Sequence, residues 1–122
     1  MPATAADLLG GWRLVSWSFV HDDRRPEEFP MGRDATGIIL YSTTGDVSAT
    51  IMRADKSECF AYAGRFEVKD GAVFHAIEVS TNPGLVGIRS TRFVDLAGDR
   101  LTLSGPDFQA GTGRTQKIVW TR

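Results

Sequence analysis

Apolar and polar residues alternate along most of this chain with the two-residue period of strands that bury one face, and short polar turns interrupt them. The pattern predicts strands at Trp12–Val20, Gly37–Ser42, Val47–Arg53, Tyr62–Val68, Val73–Ser80, Val86–Leu96, Arg100–Ser104 and Gln116–Arg122. Three connections carry hairpin chemistry, Thr44-Gly45-Asp46, Lys69-Asp70-Gly71 and Ala97-Gly98-Asp99, because Gly and Asp tolerate the positive φ of tight turns. Such turns make sequential strands antiparallel neighbours. Thirteen glycines and five prolines leave little room for long helices. Only Ala3–Leu9, opening near Thr4 or Asp7, predicts a helical turn. Both ends are rich in Trp and Val, at Gly10 to Trp17 and at Lys117 to Arg122, and have the composition to pair. The expected fold is therefore all-β: one up-and-down antiparallel barrel of about eight strands, with at most a short N-terminal helix.

Two stretches break this rhythm. Residues 21–35 are polar and charged, hold Pro26 and Pro30, and form a long loop suited to act as a lid. Residues 105–114 mix Gly105, Pro106, Gly111 and Gly113 with Phe108 before the last strand. The 122 residues fit one domain, 1–122, long enough to bury a core without disulfide or metal staples.

Composition narrows the function. Fourteen basic residues against fifteen acidic ones leave no electrostatic footprint for nucleic acid or an acidic membrane. The single cysteine, Cys59, excludes an intrachain disulfide and has no adjacent positive charge to activate it. Met1 to Leu9 lacks the basic and apolar regions of a signal peptide, so a cytoplasmic address is expected. There is no phosphate-binding glycine loop, nucleophile elbow or paired-histidine helix, and no cofactor or metal is expected.

Strand parity selects candidates for an interior site. Val73, His75, Ile77 and Val79 share the more apolar face of their strand, which turns His75 inward. There it is either a proton-transfer residue or a hydrogen-bonded polar core residue. Tyr62 shares a face with Phe66 and would present its hydroxyl to the interior, or simply pack. Arg92 shares parity with Ser90 and would need an anion inside: a ligand carboxylate or enolate, Glu78 or Glu67. His75, Tyr62 and Arg92 are the candidate catalytic residues. Tyr41, Ser48, Thr50 and Met52, with Phe66, Ile77, Val79 and Ser90, are the candidate ligand-lining residues. The first strand is apolar on both parities, which leaves open whether Trp17 or its neighbours face inward.

Leu9-Gly10-Gly11-Trp12 resembles the glycine-x-tryptophan opening of the lipocalin and fatty-acid-binding superfamily, the calycins. The chain as a whole is similar to the bacterial and fungal lipocalin-like domain family. The resemblance runs through Asp34-Ala35-Thr36-Gly37, Ala61-Tyr62-Ala63-Gly64-Arg65-Phe66, Val73-Phe74-His75, Asn82-Pro83 and Gly98-Asp99-Arg100-Leu101-Thr102-Leu103. It implies a closed barrel end where Arg122 covers Trp12, and an inward arginine that meets a ligand carboxylate. On this reading the chain binds a small, mostly apolar organic ligand, such as a polyketide, terpenoid or aromatic metabolite, as a monomer or homodimer. The alternative is a cofactor-independent isomerase, cyclase or dehydratase with His75 moving the proton; a packed barrel serving as an interaction domain is a third.

Overall fold

The computed structural model describes residues 2–106 and 114–122. Eight antiparallel strands form a closed barrel in sequence order: β1 (Gly10–His21), β2 (Thr36–Tyr41), β3 (Asp46–Met52), β4 (Cys59–Lys69), β5 (Ala72–Ser80), β6 (Arg89–Ala97), β7 (Arg100–Pro106) and β8 (Arg114–Thr121). Closure comes from β1 pairing with both β2 and β8, so the Trp-rich ends meet as their composition predicts. Full closure leaves no strand edge open.

The predicted Ala3–Leu9 turn is shorter, α1 (Ala5–Leu8), and its capping box links Thr4 and Asp7. β6 begins at Arg89 rather than Val86, because Pro83–Leu85 winds into a 3-10 turn capped by Asn82 and Gly87 follows at positive φ. At the β4–β5 hairpin Asp70 and Gly71 both take positive φ, as the turn chemistry requires.

Two bulges set which side chains face inward. Between Leu14 and Ser16 the β1–β8 register skips Val15, so Trp12 and Leu14 point in before it and Trp17 and Phe19 after it. A strand apolar on both parities is the consequence. Between Ala63 and Gly64 the β4–β5 register skips Glu78. The chains approach so closely there that a Cβ on Gly64 would lie 1.8 Å from the Ala76 carbonyl oxygen.

One end of the barrel is shut. α1 lies over it, and Trp12, fully buried, donates from Nε1 to the Leu8 carbonyl at 2.9 Å. The Arg122 guanidinium sits 3.9 Å from the Trp12 ring and donates to the carbonyls of Leu9 and Asp7. The other end carries the 21–35 loop, tied down by a Phe19–Glu28 bridge and by Arg53 donating to the Pro30 carbonyl at 2.9 Å. The second irregular stretch, 105–114, lies mainly outside the described residues. No described helix is long and apolar enough to cross a membrane.

Candidate functional site

The barrel interior holds a polar chain inside an apolar wall. Tyr41 on β2, His75 on β5 and Tyr62 on β4 converge because each sits on the inward parity of its strand. The Tyr41 hydroxyl lies 2.7 Å from His75 Nε2, and the Tyr62 hydroxyl 2.7 Å from His75 Nδ1. Phe66 packs edge-on against Tyr41, with ring centroids 4.8 Å apart. Ser90 faces His75 across the β5–β6 ladder, and Arg92, 4 % exposed, follows on the same side of β6. The Arg92 guanidinium donates to the carbonyls of Thr91 and Pro106.

Burial decides the charge state of this chain. It pulls the His75 imidazole down to about 3, with the nearby Arg92 cation acting in the same direction. Burial also pushes the Tyr62 hydroxyl up to about 12 and the Tyr41 hydroxyl well above its ordinary value. All three groups are therefore neutral near pH 7.

A neutral imidazole has one N–H donor and one acceptor nitrogen, so the two tyrosines must play opposite parts. Among the described residues the Tyr41 hydroxyl has no partner besides His75, and Tyr41 is 2 % exposed. If Nε2 carried the proton, Tyr41 would accept from it and keep a buried O–H with nothing to donate to, a cost of about 1–3 kcal/mol. With the proton on Nδ1, Tyr41 donates to Nε2, Nδ1–H donates to the Tyr62 oxygen, and the Tyr62 O–H is released. Tyr62 is the half-buried member and lines open space.

That space is an interior cavity of about 20 Å³ bounded by Trp17, Phe60, Tyr62, Arg92, Gln116 and Trp120, with Ala49, Ile51 and Ile118 completing the wall. It has room for about one water or one ligand atom. Trp17 donates from Nε1 to Gln116 Oε1 at 3.1 Å and stacks on Phe60, with centroids 5.7 Å apart. The same two rings floor a larger pocket of about 490 Å³ at the open end, rimmed by Phe19, Pro30, Met31, Leu85, Ile88 and Arg114.

The sequence candidates divide accordingly. His75, Tyr62, Arg92, Tyr41, Phe66, Ile77 and Ser90 all lie on the inner side of the wall. Ser48, Thr50, Met52 and Val79 do not. The β2–β3 register places Val47 opposite the inward Tyr41, so Val47, Ala49 and Ile51 face in, while Ser48 and Thr50 are exposed and Met52 lies on the outer face. Val79 is 62 % exposed because the bulge at Glu78 reverses parity beyond Ile77, pairing Ser80 with the inward Tyr62. Gln116, Trp120 and Phe60 were not among the sequence candidates. The shared parity of Gln116, Ile118 and Trp120 was a signal available for two of them.

Two segments, residues 9–60 and 54–122, match the lipocalin-like domain family. The chain belongs to that family. Among solved structures, a lipocalin-like protein from Bacteroides uniformis is similar to this lipocalin-like barrel with a TM-score of 0.60 at 20% identity, covering 95% of this chain and 99% of its own. An uncharacterized protein from Bacteroides eggerthii is similar with a TM-score of 0.57 at 14% identity, covering 95% and 100% respectively. At these identities the likeness is one of fold. Comparison with curated protein sequences yields no match.

Proposed function

We propose that this lipocalin-like barrel binds a small, mostly apolar organic molecule, of polyketide, terpenoid or aromatic type, seated in the pocket at its open end. The observation that carries the reading is the junction of two compartments. An open pocket of about 490 Å³ falls in the range typical of small-molecule sites and ends on the Trp17–Phe60 stack, behind which lies a small, mostly apolar cavity into whose wall Tyr62, Arg92 and Gln116 bring polar groups. An apolar body fits the first compartment and a single polar atom fits the second. A monomer or homodimer in the cytoplasm, using no cofactor, is the setting we propose.

The isomerase reading asks His75 to move a proton. An imidazole held down to about 3, with both nitrogens engaged by tyrosines, is a weak base set one residue behind the cavity wall. Binding is therefore the reading adopted.

The test is native mass spectrometry of freshly purified protein, followed by a thermal-shift and Trp-fluorescence screen of apolar metabolites. A bound metabolite, or a saturable rise in Tm accompanied by quenching of Trp17, is expected. A flat screen that also leaves Trp17→Ala and wild type indistinguishable would overturn the proposal.

A further inference from the structure

Among the described residues the inner cavity has more hydrogen-bond donors than acceptors. Its two uncharged acceptor groups there each already hold one donor, Gln116 Oε1 the Trp17 indole and the Tyr62 oxygen His75 Nδ1–H. On the other side of the balance stand two buried donors with no partner, Gln116 Nε2 and Trp120 Nε1, both from residues of the cavity wall and both residues 1 % exposed. The Gln116 amide cannot turn to relieve this, because the Trp17 indole only donates and holds Oε1 toward itself. The Tyr62 O–H, released by the polarity of the Tyr41–His75–Tyr62 chain, is the third donor.

We infer that the polar atom received here is a ketone oxygen, with Tyr62 donating to it and the Tyr41–His75 pair positioning that hydrogen. The inference rests on the binding function proposed above and narrows its ligand class. A carbonyl oxygen brings two lone pairs and no proton, matching a wall in which, among the described residues, donors outnumber acceptors. An alcohol of the same shape brings a proton that, among the described residues, would have to share an oxygen already holding a donor, so it pairs less well than a carbonyl. His75 and Tyr41 touch no ligand. Their part is to fix which way the hydrogen bonds run.

The polarity is tested without any ligand. In untagged, 15N-labelled protein carrying His21→Gln, His75 is the remaining imidazole, and long-range 1H–15N correlation distinguishes the protonated nitrogen from the bare one. A protonated Nδ1 is expected; a protonated Nε2 in the unliganded protein would overturn the inference whatever binds.

The ligand class is tested with 6-propionyl-2-dimethylaminonaphthalene and the alcohol obtained by reducing its ketone, two probes of one skeleton. The ketone is expected to bind at least roughly fivefold tighter, with the red-shifted emission of a hydrogen-bonded carbonyl. Tyr62→Phe is expected to weaken the ketone by roughly two- to tenfold. Equal binding of both probes, or ketone binding that Tyr62→Phe leaves unchanged, would refute the ketone assignment while leaving small-molecule binding intact. Absence of saturable binding by either probe would count against the binding function itself, and the assignment would fall with it.

Discussion

Lowering the pH from 8 to 5 should destabilise this barrel through His75 in particular. The imidazole is 1 % exposed and held down to about 3, against an ordinary value of 6.5. As pH falls below 6.5 the unfolded chain takes up a proton that the folded one refuses. The stability contributed by neutral His75 is thus complete above 6.5 and is lost as pH falls toward 3. Each pH unit below 6.5 costs about 1.4 kcal/mol, so the loss at pH 5 is about 2 kcal/mol relative to pH 8. With a urea m-value of about 1–3 kcal/mol/M, the midpoint should move down by roughly 1 M. The assay is urea unfolding followed by Trp fluorescence at both pH values, for wild type and His75→Gln. The variant's own stability cost cancels in the pH comparison, as do contributions from His21 and the carboxylates. A wild-type pH dependence exceeding that of His75→Gln by about 2 kcal/mol supports the reasoning. Equal pH dependence in the two proteins would show that His75 titrates normally and that the buried neutral chain is wrong.

The closed end offers a second perturbation: Arg122→Ala removes a ring contact at 3.9 Å and two hydrogen bonds to the α1 segment, and should cost about 1–3 kcal/mol in chemical denaturation. Gly64→Ala places a methyl group 1.8 Å from the Ala76 carbonyl oxygen, so a drop in Tm equivalent to at least about 2 kcal/mol is expected; a neutral result would mean that the bulge relaxes freely. The inward parity of β3 is checked by pairing Ala49→Leu with Thr50→Lys. The first should fill the inner cavity and abolish ketone binding, whereas the second, on the outer face, should change stability by less than about 0.5 kcal/mol and leave binding intact.

All eight described strands and the order of their pairing were legible from local signals, because alternation, Gly-Asp turns and Trp-rich ends are each read within a few residues. The inward orientation of His75, Tyr62 and Arg92 followed from parity, since the extra residue of the β4–β5 bulge, Glu78, lies on β5 beyond His75 and Ile77 and leaves the alternation of β4 from Tyr62 to Phe66 intact. Parity failed at Val79, where Glu78 is skipped in the register, and it gave no answer in β1, where Val15 is skipped. A bulge leaves little trace in a single strand because it is a property of the pair. For Ser48, Thr50 and Met52 the alternation of Val47, Ala49 and Ile51 pointed the right way, and the polarity of Ser and Thr was mistaken for a lining.

The sequence by itself determined the barrel, the up-and-down order of its strands and the pairing of its ends, since short-range patterning and turn chemistry specify those. Tertiary structure alone decided how the interior is used. Tyr41, Tyr62 and His75 stand 13 to 34 positions apart, and only closure brings both hydroxyls to one imidazole. Burial then strips the charge from that imidazole, and the supply of partners around Tyr41 sets which way its hydrogen bonds point. Hydrogen-bond polarity and cavity volume arise from how several strands share one enclosed space, a quantity that no single stretch of residues encodes.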